Sequence, residues 1–265
     1  MPNNYSILVN SSDGFEDCWH PFFLLFKKHW PQCTAPIYLN TENKIWHHPD
    51  LNIQCTAVQG DKQRCLTWSE CLIGALEQIK TPLVLYFQED YFIHQPVRSE
   101  AIDSAVEHMI ANPEVKHIAL TRHGSLGPHE PYTIEGYQKI RQKARYRIST
   151  QAGLWRVETL KSYLRPEENG WMFEIFGTWR AQRLLECFLC AEFDREHGGP
   201  AIDYLHTGII KGKWLAEMPS VFAANDIEID YSKRGFYQPK PPFLQKLELI
   251  RKLLERPDYL IRQLF

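Results

Sequence analysis

The chain has 265 residues and a nearly balanced charge, with 30 Lys and Arg against 32 Asp and Glu. Balanced charge excludes a general nucleic-acid binder, and the length allows a large α/β domain with a well-buried core. The seven scattered cysteines do not resemble a disulfide framework, and the N-terminus lacks the basic region of a signal peptide. We therefore expect a cytoplasmic protein with no transmembrane helix.

The first 120 residues alternate predicted strands with predicted helices. Strands are predicted at 5–10, 36–40, 53–58, 83–87 and 115–120, and helices at 17–30, 68–79 and 101–111. This alternation is typical of a mostly parallel sheet with helices on both faces. The sequence thus predicts a Rossmann-like α/β fold.

The rest of the chain is less regular. Residues 121–150 show weak periodicity, and helices are predicted at 157–164 and 179–193. The second of these helices contains Cys187 and Cys190, which we interpret as a buried helix face rather than a zinc or redox site. The tail, residues 244–265, combines five cations with a long apolar face. Such a helix lies on an anionic membrane surface, docks on its own domain or pairs with a second copy.

The most informative stretch is the apolar run 83–87 followed by Gln88, Glu89 and Asp90. Burying charge is costly, so carboxylates at the end of a buried strand usually face a cleft, a cation or a partner. Ligands of open α/β sheets bind outside the carboxyl ends of the strands. A divalent cation on phosphate oxygens needs only one or two protein carboxylates. A solvated turn after the strand is the alternative interpretation.

This string and the order of elements resemble the nucleotide-sugar half of a GT-A glycosyltransferase. They are most similar to bacterial family 2 type enzymes of capsule and O-antigen synthesis, which carry an Asp-x-Asp metal motif at the end of such a strand. Here Gln88 replaces the first Asp, and Asp90 matches the last. The resemblance covers about residues 5–180. It implies transfer of a sugar, with inversion, from a nucleotide diphosphate donor to a saccharide or lipid-linked saccharide, with Mg²⁺ or Mn²⁺ as cofactor.

The resemblance, together with the chemistry of His206, Lys211 and Lys213 beyond it, gives candidate residues for each part of the reaction. The candidate base is Glu174, which follows an Asn-Gly turn at the start of a helix, and Asp194 and Asp203 are its rivals. Asp90 is the candidate metal ligand, with His206 as a further one. Candidate donor-binding residues are Asn10, Ser12, Asp13, Asp61, Gln88, Glu89, Lys211 and Lys213, and candidate acceptor-binding residues are Gln151, Trp155 and Trp171. Helix caps, core packing and solvated turns are the structural alternatives.

We expect a donor half at 1–125, an acceptor half at 126–235 and a basic tail at 236–265. The expected partners are a nucleotide sugar and a saccharide acceptor, with the inner membrane face or a second copy contacting residues 244–265. Two other functions are weighed. A nucleotidyltransferase would carry a Gly-rich, Lys-bearing loop after the first strand, which Asn10–Gly14 lacks. The other is a non-catalytic carbohydrate- or nucleotide-binding protein, and its main support is that Gln88 replaces the first Asp of the metal motif.

Overall fold

The computed structural model of the protein describes residues 3–192, 198–239, 241 and 243. The chain divides into two compact units, residues 1–207 and 208–265. The predicted tail helix at 244–265 and the rival base Asp194 lie outside the described residues. Within those residues, no helix has both the length and the apolar composition that crossing a bilayer requires.

The first unit is built on one nine-stranded sheet. Its strands are β1 (Tyr5–Asn10), β2 (Ile37–Leu39), β3 (Ile53–Cys55), β4 (Leu83–Gln88), β5 (Val115–Ala119), β6 (His129–Pro131), β7 (Tyr137–Ile140), β8 (Gly153–Arg156) and β9 (Cys187–Ala191). They lie in the order β3-β2-β1-β4-β8-β5-β9-β7-β6. The pairings leave β7 and β8 antiparallel to the other seven strands. The predicted mixed α/β, mostly parallel sheet is confirmed.

Helices cover both faces of this sheet, as predicted. The helices of the first unit are α1 (Glu16–His29), α2 (Trp68–Gln78), α3 (Ser99–Ala111), α4 (Val157–Tyr163) and α5 (Gly170–Ala181). Successive residues of a strand point to opposite faces. Phe87 of β4 accordingly contacts Phe22 of α1, with ring centroids 6.0 Å apart. Its neighbour Tyr86 belongs to the buried cluster that contains Leu72 and Leu76 of α2.

The predicted helix at 179–193 is wrong in its second half. Helix α5 ends at Ala181, and residues 187–191 form strand β9 between β5 and β7. A short apolar run has the same composition in a buried helix and in a buried strand, so periodicity does not separate the two. Cys187 and Cys190 therefore lie on a strand and not on a helix face.

The second unit contains a small hairpin and a short helix. Strands β10 (Ile209–Ile210) and β11 (Lys213–Trp214) pair antiparallel, and α6 (Met218–Ala223) follows. The hairpin turn requires positive φ at Lys211 (51°) and Gly212 (76°), which glycine adopts without strain. Trp214 is buried and packs edge-on against Phe222, with ring centroids 5.7 Å apart.

Strand β8 has no room for a side chain at Gly153, and this gives a stability prediction. An added Cβ would lie 2.4 Å from Cε1 of His117 and 3.1 Å from the carbonyl oxygen of Ile118. The His117 ring is buried and stacks on Trp155 at 4.1 Å, so it has little room to move. Overpacking of this kind costs about 1–3 kcal/mol, and we expect Gly153→Ala to lower the free energy of unfolding by that amount.

Urea denaturation measures the difference, and Gly14→Ala is the matched control. A Cβ at Gly14 would meet its nearest neighbour at 3.7 Å, an ordinary contact. Equal stability of the two variants would contradict the packing described at β8.

Candidate functional site

A cleft of about 450 Å³ opens at the carboxyl end of β4. It is formed by the end of β4, the loop after β5, the segment before β8, helix α5 and the last residues of the first unit. Its lining residues are Gln88, Tyr91, His123, Leu126, Tyr146, Ser149, Thr150, Gln151, Glu174, His206 and Thr207. The cleft therefore brings together four predicted site residues, namely Gln88, Gln151, Glu174 and His206.

A network of buried polar side chains ties together the carboxyl ends of the first four strands. Nδ2 of Asn10 donates to the hydroxyl of Tyr86 (3.2 Å), and Oδ1 of Asn10 accepts from Nδ2 of Asn40 (2.8 Å). Oδ1 of Asn40 in turn accepts from the hydroxyl of Thr56 (2.9 Å), and Nε2 of Gln88 donates to Tyr86 (3.4 Å). Fully paired polar networks are rigid. Asn10 thus fixes the carboxyl ends of β1 and β4, where Gln88 lines the cleft.

The loop after β1 is held by the carboxylate of Asp13. Its two oxygens accept backbone N–H bonds from Glu42 and Asn43 at 3.0 Å and from Lys44 at 3.3 Å. These bonds join the loop after β1 to the loop after β2. Ser12, half-buried, precedes the short 3₁₀ turn that Asp13 begins. Asp13 therefore shapes this loop through backbone amides.

The acidic pair after β4 is buried, which differs from the solvated turn that was the alternative interpretation, and neither acid lines the cleft. Glu89 and Asp90 are both largely inaccessible to solvent, and the hydroxyl of Thr207 donates to Oδ2 of Asp90. Next to this bond, the rings of Tyr91 and Tyr204 stack with centroids 4.7 Å apart. The segments after β4 and before residue 208 thus run side by side, and the bond from Thr207, which lines the cleft, joins Asp90 to the second of them.

Asp90 and His206 are the two candidate ligands for a metal ion. Within the part of the chain that the structure describes, no three His, Cys, Asp or Glu side chains are close enough to hold a metal ion. Asp90 provides a buried carboxylate, and His206 lies exposed beside Thr207, which contacts Asp90. Mg²⁺ commonly takes one or two carboxylates and completes its shell with phosphate oxygens and water. These residues fit that mode of binding.

Glu174 lies on the second turn of α5, whose start is fixed by an N-cap. The side chain of Asn169 accepts from the backbone N–H of Met172 at 2.9 Å. Oε1 of Glu174 accepts from the backbone N–H of Thr150 (2.8 Å) and from its hydroxyl (2.9 Å). Burial raises the pKa of Glu174, and the bonds from Thr150 and Ser149 offset part of that rise. A carboxyl with a raised pKa in a cleft is suited to general base catalysis.

Of the three predicted acceptor-binding residues, only Gln151 lines the cleft. Its Nε2 donates to the hydroxyl of Tyr91 (3.1 Å), and its Oε1 accepts from that of Tyr204 (3.0 Å), so its amide supports the cleft wall. Trp155 is fully buried and stacks on the core residue His117, which leaves it no surface for an acceptor. Trp155 is therefore a core residue, which is the structural alternative to acceptor binding. Trp171 is half-buried in the first turn of α5 and does not line the cleft.

The remaining predicted residues lie elsewhere in the chain. Asp61 is exposed in the loop that follows β3. Lys211 and Lys213 belong to the β10–β11 hairpin of the second unit. Asp203, a rival for the role of base, accepts a backbone bond from His94 through its carbonyl and does not line the cleft.

Several cleft residues were missed by sequence reasoning. Leu126 and Tyr146 come from the irregular segment 121–150, where no periodicity indicates which side chains share a surface. Thr150 precedes the predicted residue Gln151, but its contact with Glu174 has no local signal. Thr207 follows His206 and was overlooked because a lone Thr has no distinctive spacing.

Comparisons with known proteins give likenesses in structure alone. No protein-family model matches the chain, and no curated protein matches it. Residues 1–349 of S. aureus TarS align at 14% identity and a TM-score of 0.46, over 71% of this chain and 58% of that one. The same fragment in complex with UDP-GlcNAc aligns at 11% identity and a TM-score of 0.44, over 87% and 69% of the two chains.

A different protein matches as well. The bifunctional IspDF of Campylobacter jejuni aligns at 12% identity and a TM-score of 0.39, over 78% of this chain and 53% of that one. The chain thus spans a little more than half the length of the first of these structures, the TarS fragment 1–349. Likenesses at such identities and TM-scores assign the chain to no family.

Proposed function

We propose that the protein is a glycosyltransferase that moves a sugar from a nucleoside diphosphate donor to a saccharide hydroxyl. The observation that carries this proposal is the shared cleft of Gln88, at the end of β4, and Glu174, on α5. Gln88 begins the string whose buried acids, Glu89 and Asp90, suit a diphosphate, and Glu174 is a half-buried carboxyl that suits an acceptor hydroxyl. Transfer between two substrates needs both groups in one cleft.

On the donor side, the nucleotide lies across the carboxyl ends of β1 and β4 in this proposal. Asp13 fixes the loop after β1, and Asn10 fixes the carboxyl ends of β1 and β4. Ser12, Asp61 and the Gln88-Glu89 pair remain candidate donor contacts. Asp90, with His206 as a second candidate, would hold Mg²⁺ or Mn²⁺ on the diphosphate. When bound, such a cation offsets the negative charge of the departing diphosphate.

On the acceptor side, Glu174 takes the proton from the attacking hydroxyl. The hydroxyl oxygen forms a bond to the anomeric carbon as the bond from that carbon to the diphosphate oxygen breaks. The electron pair of the broken bond leaves with the nucleoside diphosphate, and the proton stays on Glu174. Attack opposite the leaving group inverts the anomeric centre. The bonds from Thr150 orient the carboxyl for this step.

Glu174 also sets the expected pH dependence. The base acts as a carboxylate, so turnover falls when pH drops through its pKa. Burial raises that pKa above the ordinary value of 4.5. We expect the acid limb of kcat/KM to lie above pH 4.5, as measured by initial rates across a buffer series. An acid limb at or below 4.5 would contradict the environment described for Glu174.

The same proposal includes a lipid-linked acceptor, a membrane contact of residues 244–265 and a homodimer. Their support is the sequence pattern.

The first test of the proposed function is a thermal-shift screen of nucleoside diphosphates with and without Mn²⁺. A ligand that binds only the folded state adds about 2.7 kcal/mol of stability at one hundred times its Kd. We expect a Mn²⁺-dependent rise in Tm with at least one nucleoside diphosphate. No rise with any of them would contradict the proposal.

A further inference from the structure

Two exposed side chains at the cleft have no role in the steps above. Leu126 is 69% exposed and Tyr146 is 39% exposed, yet both line the cleft that contains Glu174. Large apolar side chains are costly to leave in water, and where they gather in a concave site they mark ligand contacts. An aromatic ring and a branched aliphatic chain present a flat apolar surface, which suits the C–H face of a sugar ring.

The backbone at Tyr146 is strained. Four non-glycine residues in the described part of the chain have positive φ, and Tyr146, with φ of 47°, is the aromatic one. The left-handed region is unfavourable for a bulky side chain. Such strain persists where the surrounding structure enforces it, and it clusters at ligand sites.

The neighbouring residue, Arg147, enforces this conformation. Its guanidinium is buried and donates to the carbonyl oxygens of Ile140, Arg141 (2.9 Å) and Glu186 (2.5 Å). The same group lies over the ring of Phe188, 4.7 Å from its centroid. Arg147 therefore points into the core and is fixed there. One residue earlier, Tyr146 has its positive φ and lines the cleft.

The chain also links Tyr146 to the candidate base. Thr150, which donates two hydrogen bonds to Glu174, lies four residues further on. Four residues span at most about 14 Å. A sugar that lies on Tyr146 can therefore present a hydroxyl to Glu174 without leaving the cleft.

We infer that Tyr146 and Leu126 form the binding platform for the acceptor saccharide. The inference rests on the proposed function, because the acceptor is defined by its proximity to Glu174. It assigns acceptor binding to a strained tyrosine that Arg147 holds in place, rather than to Trp155 or Trp171. Removing the ring should weaken saccharide binding without affecting nucleotide binding.

The test is saturation-transfer difference NMR with a panel of methyl glycosides on the full chain loaded with UDP and the diamagnetic cation Mg²⁺. We expect ring protons of at least one glycoside to receive saturation from the wild-type protein and from Tyr146→Phe. The signal should fall at least about tenfold in Tyr146→Asn, because asparagine tolerates positive φ but lacks the ring. The Tm of Tyr146→Asn should be unchanged or higher, because the strain is relieved.

Leu126→Ala should weaken the same signal, and Leu185→Ala is its matched control. Leu185 is 98% exposed and does not line the cleft, so its removal should leave the signal intact. Equal signals from wild type and Tyr146→Asn, or no glycoside signal from a protein that binds UDP, would overturn the inference. Failure of the wild type to bind UDP would instead count against the proposed function. The glycoside signal measured without UDP would then test the platform: a signal that Tyr146→Asn loses would support it, and equal signals from the two proteins would overturn it.

Discussion

Replacing Glu174 by Gln is expected to lower turnover by about 10²–10⁴-fold while nucleotide binding persists. Gln keeps the size of the side chain, and its Oε1 can still accept the two bonds from Thr150. It cannot take a proton from an acceptor hydroxyl. The measurement is a comparison of kcat with the Kd for UDP and Mn²⁺ in wild type and variant.

The stability of Glu174→Gln separates a catalytic loss from a folding defect. Burial raises the pKa of Glu174, so the folded state binds the proton more tightly than the unfolded state. That contribution to stability is present below the ordinary pKa of 4.5 and is lost as pH rises through the folded pKa. At neutral pH the ionised group opposes folding, so Glu174→Gln should have a Tm equal to or above that of the wild type.

Glu158→Gln is the matched control for this variant. Glu158 is an exposed acid of α4, outside the cleft, and its loss should leave both kcat and Tm close to wild type. Unchanged turnover in Glu174→Gln would transfer the role of base to another acid, with Asp203 and Asp194 as the next variants to test.

Asp90→Asn is expected to remove most Mn²⁺-dependent nucleotide binding and to lower turnover by about 10²–10³-fold. Loss of one group that stabilises developing charge has effects of that size. The amide oxygen of Asn can still accept the hydroxyl of Thr207, so the fold should persist. Calorimetric titration with UDP, with and without Mn²⁺, measures the binding, and initial rates measure turnover.

The control for this variant is Asp103→Asn, which removes an exposed acid of α3 without changing the cleft. Its nucleotide binding should match that of the wild type. An Asp90→Asn protein that binds UDP and Mn²⁺ as tightly as the wild type would remove Asp90 from the proposed metal site.

Much of the fold of the first 120 residues is predictable because its signals are local. Strand β4 is an apolar run of strand length that two acids follow, and α1 and α2 have apolar residues at helical spacing. Alternation of such segments predicts a sheet with helices on both faces. The carboxyl ends of neighbouring strands meet at one edge, so the position of Gln88 at a cleft follows from the same pattern.

The fold after residue 120 is less predictable because its contacts are long-range. Strand β8 lies between β4 and β5 under helices on both faces, so its residues are buried on both sides and give no alternation. The resemblance assigned Trp155 to acceptor binding, and the sequence around it gave no alternation that would have indicated a core position instead. Tyr146 lines the cleft next to Arg147, whose buried guanidinium donates to the carbonyl oxygen of Glu186, a residue distant in the sequence. No local pattern indicates such a contact.

The most direct test of the proposed reaction identifies its phosphorus-containing product. The full chain is incubated with a nucleotide sugar, Mg²⁺ and a panel of glycosides, and in parallel with Mg²⁺, a nucleoside triphosphate and a sugar 1-phosphate. Phosphorus-31 NMR then distinguishes a released nucleoside diphosphate from pyrophosphate. The proposal predicts nucleoside diphosphate from the first mixture, at a rate that Glu174→Gln lowers. Pyrophosphate from the second mixture alone would show a nucleotidyltransferase, and no product from either mixture would contradict a transferase.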